Sequence, residues 1–226
     1  ILRCLVGSEM CIRDSYNKVL KQKNNLLKEA FKNSSADDIL SVWDTQLAEY
    51  GSVIIERRRR YVAELDALAS AAHGEISGGR EILRLGYETP MSTEGRDALR
   101  AELFSKLEQS REKDKQLGFC TVGPHRDDIS IEINGLDGRK FASQGQQRTI
   151  ALAMKLGEVG IYEKESGEKP VLLLDDVLSE LDEDRRRTLI KLTAGAQSFI
   201  TCTEFDMADE AERIVKVDAG RAEAVK

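Results

Sequence analysis

Two neighbouring carboxylates, Asp175 and Asp176, follow directly on the apolar run Val171-Leu172-Leu173-Leu174. Four apolar residues bounded by Pro170 on one side and by charge on the other read as a buried strand. In an open α/β sheet, ligands sit beyond the C-terminal ends of the strands, and both carboxylates fall there. A carboxylate so placed can hold Mg2+ through oxygen ligation, usually with water in the shell. Its neighbour can orient a water for attack on a phosphate. Taken alone, the segment reads equally well as a buried strand that ends in a solvated acidic turn.

Two further segments bear on that choice. Ser143-Gln144-Gly145-Gln146-Gln147-Arg148 opens a helical run from Thr149 to Tyr162. A serine hydroxyl and the free amides of a helix N-terminus make an anion site, and Gly145 lets the backbone come close to a phosphate. By itself this segment reads as an ordinary helix cap. After the carboxylates comes Ser179-Glu180-Leu181-Asp182. A phosphate-binding Gly-x-x-x-x-Gly-Lys-Ser/Thr loop is absent, since no glycine in the chain is followed by lysine.

In this order and spacing the segments resemble the signature, Walker B strand and D-loop of ABC-type ATPases. The resemblance narrows with Gly123-Pro124-His125-Arg126-Asp127-Asp128, then Ser143-Gln144-Gly145-Gln146-Gln147-Arg148-Thr149, then Leu173 to Asp182. The Ser-Gln-Gly-Gln-Gln form of the signature and the Asp-Asp ending of Walker B resemble the RecF family. The likeness covers roughly Tyr16 to Val217, and it is specific in the second half and one of pattern only in the first.

The resemblance implies a slow ATPase that binds ATP and Mg2+, dimerises on ATP and binds double-stranded DNA in the bacterial cytoplasm. With RecO and RecR such proteins help load the recombinase RecA at single-strand gaps, in DNA repair and recombination, replication restart and the SOS response. It implies Asp175 as the Mg2+ carboxylate and Asp176 at the place of the usual glutamate base, its shorter reach fitting slow hydrolysis. Ser143, Gln144, Gly145 and Gln146 would meet the γ-phosphate held by the opposite subunit. Ser179 and Asp182 would form the D-loop crossing the dimer interface. No histidine follows the strand Ser198 to Thr201, so Thr203 is the candidate for the switch position. The phosphate-binding loop of this family precedes the helical arm. The chain therefore reads as its C-terminal part, which would bind ATP poorly alone, expose apolar sheet surface and tend to aggregate.

The elements that must position these residues fall into two kinds. Apolar residues at helical spacing run from Tyr16 to Phe31 and again from Ile39 to Ala72. Asn33-Ser34-Ser35 offers an N-cap between them, with Asp37 and Asp38 in the next first turn. Gly78-Gly79 ends the second helix. Ile82 to Glu88 reads as a strand, and Ser92 or Thr93 as the cap of a third helix bearing Leu99, Leu103 and Leu107. Narrow apolar stripes on long helices suggest an arm. From Gly118 strands and helices alternate. Phe119 to Val122, Ile129 to Ile133, Val171 to Asp175 and Ser198 to Thr201 read as strands. Thr149 to Tyr162 and Asp184 to Thr193 read as helices, and Asn134-Gly135 and Asp137-Gly138 as turns. The expected fold class is α/β, a partial ABC-ATPase head with a partly parallel sheet plus an α-helical arm. Residues 16–117 would be the arm and 118–226 the head. Residues 1–15 read as a non-native lead-in and are left out of the fold expectation.

The chain has 226 residues, a net charge of −6, 33% charged and 5% aromatic residues. That charge gives no global pull towards nucleic acid, so DNA contact needs a local patch or another segment. No apolar run is long enough to span a bilayer. The four cysteines follow neither a metal-ligand nor a disulfide pattern. Arg57 to Arg60 could touch DNA phosphates, but four arginines in a row splay around a helix and read better as a solvated face. Arg185 to Arg187 read as surface. His125 and Arg126 read as a turn that caps neighbouring backbone, ahead of a role beside the nucleotide. Cys120 and Cys202 read as buried thiols. Two other functions stay open: a different SMC-like ABC switch, against which the short arm speaks, and a non-enzymatic interaction module.

Overall fold

The structure is a computed structural model that describes residues 8–30, 37–179, 181–203 and 211–225. The chain forms two compact units, one of Ile1–Ala67 with Arg84–Glu132, the other of Leu68–Leu83 with Ile133–Lys226. The composition shift at Gly118 thus lies inside the first unit. The expected cap at Asn33-Ser34-Ser35 and the stretch from Ile1 to Gly7 lie outside the described residues.

The first unit is built on helices. α1 (Ser8–Ala30) is continuous from within the expected lead-in, and α2 (Asp37–Ile76) carries Asp37 and Asp38 in its first turn. α3 (Arg96–Gln109) and α4 (Arg111–Leu117) follow β1 (Leu83–Glu88). The apolar stripes meet as their spacing requires. Tyr16 and Val19 of α1, Leu47, Ala48 and Ile55 of α2, and Leu99, Leu103 and Leu107 of α3 form one core with Met91 and Cys120. Each fully buried leucine of such a core contributes about 1.5–3 kcal/mol.

Ser92 and Thr93 do not cap α3. Its N-cap is Gly95, without a side-chain bond, because both residues are held by Glu102 in the second turn of the helix. The Ser92 and Thr93 amides and hydroxyls all donate to that carboxylate, at 2.7 to 3.1 Å. Burial, the largest single influence, pushes the Glu102 carboxyl up, but these four donors together outweigh it and hold it down at about 2. A depressed carboxylate stabilises fully above its unfolded value, so this contribution is complete at neutral pH and is lost progressively as the pH falls from 4.5 to about 2.

Phe119 to Val122 is not a strand. Its backbone groups are taken by side chains: the Cys120 amide donates to Asn24 at 2.8 Å, the Thr121 amide to Asp114 at 3.0 Å, and the Cys120 carbonyl accepts from His125. His125 also meets the Tyr16 hydroxyl through Nδ1 at 2.7 Å, and Arg126 stacks over Phe119. Gly123 stands at φ 131, and a Cβ there would collide with the Tyr16 hydroxyl. The Gly-Pro-His-Arg turn therefore closes the first unit against α1, which is the capping role expected of it. Arg58 and Arg59 are not a solvated face. Arg58 donates to the Pro124 carbonyl, and Arg59 to the Thr93 and Met91 carbonyls. Only Arg60 of that run is exposed.

Beneath this turn lies a buried ion cluster. Lys23 is 0% exposed, with its ammonium 2.6 Å from Asp44 and 3.6 Å from Asp114. Arg111 reaches the other oxygen of Asp44 at 2.7 Å. Burial alone pushes the Lys23 ammonium down, but the Cys120 sulfur, Asp44 and Asp114 outweigh it and carry it above the ordinary lysine value. Burial pushes the Cys120 thiol up. At neutral pH the sulfur is therefore protonated, and the carboxylates supply the attraction.

β2 (Asp128–Ile133) is the middle strand of a three-stranded sheet, in the order β1, β2 and then β3 (Leu136–Asp137). Asn134 (φ 52) and Gly135 (φ 78) make the expected two-residue turn. The second unit continues through the short α5 (Gly138–Phe141), α6 (Gln144–Ser166), β4 (Leu172–Asp175), α7 (Glu183–Thr193) and β5 (Ser198–Thr201). β4 and β5 pair in parallel, as strand–helix–strand alternation requires. Ile76, Leu152, Leu178, Leu181 and Leu189 form the core of this unit. A final antiparallel hairpin, β6 (Val215–Asp218) and β7 (Arg221–Ala224), turns on Ala219-Gly220, both at positive φ. Its Asp-Ala-Gly-Arg turn was the sequence signal for a pair that the strand reading above omits.

Candidate functional site

β4 delivers the two carboxylates to the C-terminal end of the parallel pair, as expected. Asp175 lies in register with Thr201 of β5, and that pairing sets up the site. The Thr201 hydroxyl donates to Asp175 Oδ1 at 2.5 Å and accepts from the Asp176 amide at 3.0 Å. The same amide is 3.2 Å from the Thr201 carbonyl. Asp176 stands at φ 52, a left-handed conformation uncommon for a residue other than glycine. Strain of this kind persists where surrounding bonds over-determine the backbone, and here Thr201 and the Ser179 hydroxyl, which donates to the Asp176 carbonyl at 3.0 Å, do so. Both carboxylates are exposed. The sequence reading passed over Thr201, whose signal was a hydroxyl at the end of an otherwise apolar strand.

Among the described residues no group of three or more His, Cys, Asp or Glu could hold a metal ion. A single oriented, exposed carboxylate nevertheless fits Mg2+, which is bound through one or two carboxylates together with substrate phosphates and water.

Ser143 is the N-cap of α6 and closes a capping box. Its hydroxyl accepts from the Gln146 amide at 3.2 Å, and the Gln146 side chain accepts from the Ser143 amide at 2.9 Å. Gln144 and Gly145 occupy the first turn, where backbone N–H groups point outward. The structure thus shows at Ser143 the ordinary helix cap that the segment reads as by itself. Replacing Ser143 with alanine is expected to destabilise the chain by about 1 kcal/mol through the lost cap, read as a shift in the urea midpoint.

Asp182 is the N-cap of α7, accepting from the Arg185 amide at 3.0 Å. Ser179 is bonded to Asp176 as described, and Thr203 is exposed just past β5. Arg185 and Arg186 are not surface residues. Arg185 donates to the Thr149 hydroxyl at 3.1 Å, and Arg186 to the Leu178 and Leu181 carbonyls, both at 2.8 Å. Arg187 is exposed and pairs with Glu183. Cys202 is half-buried.

One face of the β4–β5 pair is bare. Leu173 and Phe199, partners in the register, are 76% and 56% exposed, and Val171 is exposed beside them. Apolar side chains clustered in this way on a sheet mark a surface built to be covered.

No family model matches the chain. Curated proteins do. The chain is 45% identical over 213 residues to the DNA replication and repair protein RecF of Lachnoclostridium phytofermentans, a match covering 92% of this chain and 57% of that protein. It is 42% identical over 227 residues to the RecF of Rippkaea orientalis, covering 93% and 60%. Among solved structures it resembles the recombination mediator protein RecF with ATP in the RecFOR pathway, with a TM-score of 0.82 at 39% identity over 97% of this chain and 59% of that one. The form with ATPγS gives a TM-score of 0.81 over the same shares. The chain thus spans less than two thirds of the length of the relatives it matches.

Proposed function

The chain belongs to the RecF family, whose C-terminal part it matches, and on that premise we propose that it supplies the carboxylate and signature half of an ATP-driven dimer switch on double-stranded DNA. The observation that carries this reading is the Asp175–Asp176 pair at the end of parallel β4, clamped from β5 by Thr201. Likeness to solved RecF with ATP supports ATP as the ligand.

In this reading Asp175 holds Mg2+, with the Thr201 hydroxyl fixing its carboxylate. When bound, the ion neutralises charge on the phosphate oxygens. Asp176 orients the attacking water and accepts its proton. Ser143, Gln144, Gly145 and Gln146 at the start of α6, with Ser179 and Asp182 before α7, meet nucleotide held by the opposite subunit. Thr203 stands at the switch position. The bare Leu173–Phe199 face is covered by the part of the RecF fold that this chain does not span. Full-length hydrolysis is slow and serves timing.

The relatives' names as DNA replication and repair proteins support extending the reading to recombinational gap repair, replication restart and the SOS response in the bacterial cytoplasm. The RecFOR pathway of the solved structures supports RecO and RecR as partners, with RecA loaded indirectly. No described helix is long and apolar enough to cross a membrane.

The test is an ATP titration of this chain alone and of the chain joined to the N-terminal part of a RecF relative, which carries the phosphate-binding loop. The chain alone is expected to bind ATP weakly. The joined protein is expected to bind it with Mg2+ dependence and to dimerise. Tight Mg2+-dependent binding by the chain alone, or no binding by the joined protein, would overturn the reading.

A further inference from the structure

The buried polar atoms that lack a hydrogen bond among the described residues are concentrated in one place. Of six such side-chain atoms, four belong to His73, Glu81 and Arg185. All three residues lie in the second unit. Buried polar groups are nearly always paired, and leaving one unpaired is costly. Three of the four face a partner without full hydrogen-bond geometry, His73 Nε2 with Glu81 Oε2 at 3.5 Å and Arg185 Nε with Asp182 at 3.4 Å, so His73, Glu81 and Arg185 form one buried polar cluster.

Glu81 is the centre of this cluster. It follows the turn after α2, and its side chain is 14% exposed. One oxygen, Oε1, accepts from the Gln146 side-chain amide at 3.1 Å and stands 3.9 Å from the Arg185 guanidinium. The other, Oε2, is 3.5 Å from His73 Nε2. His73 is fully buried, and burial pushes its imidazole below the ordinary histidine value, so it is neutral at pH 7. Neutral His73 leaves Arg185 as the one cation beside Glu81 in this cluster.

Two partners of Glu81, Gln146 and Arg185, lead to different motifs. Gln146 closes the capping box with Ser143, so its amide group is held at both ends, by Ser143 on one side and Glu81 on the other. This holds the Gln146 side chain folded back over the start of α6. Arg185 reaches the Thr149 hydroxyl, which in turn donates to the Gly145 carbonyl at 2.9 Å. The Arg185 side chain also lies 3.4 Å from Asp182. One carboxylate thus ties the first turn of α6 to the N-cap of α7.

We propose that Glu81 is a positioning residue for the trans nucleotide contact: through Gln146 and Arg185 it sets the signature segment and Asp182 in one mutual arrangement. This rests on the proposed function above. Glu81 touches no nucleotide itself. Its charge fixes Arg185, and its Oε1 fixes Gln146. The two motifs that must reach the opposite subunit together are thereby held by a single group.

The test uses this full chain mixed with the complete RecF of Lachnoclostridium phytofermentans, loaded with ATP or with ADP, with association read by sedimentation. The wild-type chain is expected to associate more tightly with the ATP form. Glu81→Gln keeps the side-chain shape and an acceptor for Gln146 but loses the charge facing Arg185. It is expected to weaken the ATP-dependent association roughly tenfold, which is ~1.4 kcal/mol, with an unchanged melting temperature and unchanged association in ADP. Glu81→Ala is expected to weaken it further; if that variant fails to fold, Glu81→Gln carries the test. A Glu81→Gln chain that discriminates ATP from ADP as the wild type does would overturn the positioning role and leave the proposed function standing. A wild-type chain indifferent to ATP, though folded, would overturn both.

Discussion

Lys23→Met is expected to destabilise the chain by about 3–5 kcal/mol, the cost of breaking a buried ion pair from one side. Methionine matches the length of the lysine stem, so little volume is lost. What remains is a fully buried Asp44 and Asp114, with Arg111 on Asp44. Asp114 still receives the Thr121 amide and hydroxyl and the Ser110 hydroxyl. Asp44 keeps Arg111 but loses its 2.6 Å partner. The measurement is urea unfolding at neutral pH. A loss below about 1 kcal/mol, the range of an exposed pair, would show that the cluster is not buried as described. Replacing Asp44 with leucine in the same chain should recover part of the loss, because an ion pair exchanged for apolar side chains is often near neutral. The coupling between the two substitutions then measures the pair itself. The pH dependence has a definite sign. A lysine raised above its ordinary value of about 10.4 contributes stability that is complete below that value and fades as the pH climbs through the elevated one. The Lys23 contribution should therefore be flat across neutral pH and be lost only in strong base.

Asp175→Asn has the largest expected effect on chemistry. In the chain joined to the N-terminal part of a RecF relative, single-turnover ATP hydrolysis is expected to fall at least about a hundredfold, the equivalent of ~2.7 kcal/mol of transition-state stabilisation. Asparagine keeps an oxygen for the Thr201 hydroxyl, so the geometry of β4 and β5 is retained. It removes the negative charge that would hold Mg2+ against the phosphates. Because Asp175 is exposed, stability should change by less than about 0.5 kcal/mol, the usual range of a surface substitution. The two readouts separate the site from the scaffold. A loss of hydrolysis with an unchanged melting curve supports the assignment of Asp175. Hydrolysis within a few-fold of wild type would remove it from the site, and a large fall in stability would show that its role lies in the sheet.

These two residues mark the limits of what a sequence can carry. The strand β4, its terminal carboxylates and the cap of α6 were legible because each is a local pattern. Leu172–Leu174 must be buried, Asp175 and Asp176 follow it, and a serine three residues before a glutamine closes a capping box whatever surrounds it. The stripes of α2 and α3 were legible for the same reason. Ser92 and Thr93 have the right residue types for a cap, but the competing acceptor, Glu102, lies further along the chain, in the second turn of α3. Phe119 to Val122 was misread because apolar composition suits a strand, and only the distant side chains of Asn24 and Asp114 reveal that its amides are already taken.

By itself the sequence determined the helical and strand periods, the parallel α/β half, the carboxylate pair and the likeness to the RecF family. Tertiary structure decided which charges are buried and what each one holds. Lys23 is spelled like Lys18, Lys21 and Lys28 on the same helix, yet it alone of the four lies fully buried, facing Asp44 and Asp114. Arg58, Arg59 and Arg185 likewise read as solvent-facing charge until the carbonyls and hydroxyls they serve come into view. Glu81 and Thr201 carry no motif at all. The physical reason is the same throughout: periodicity and capping depend on neighbours a turn or two away, whereas an ion pair or a clamp depends on the distance between residues far apart in the chain.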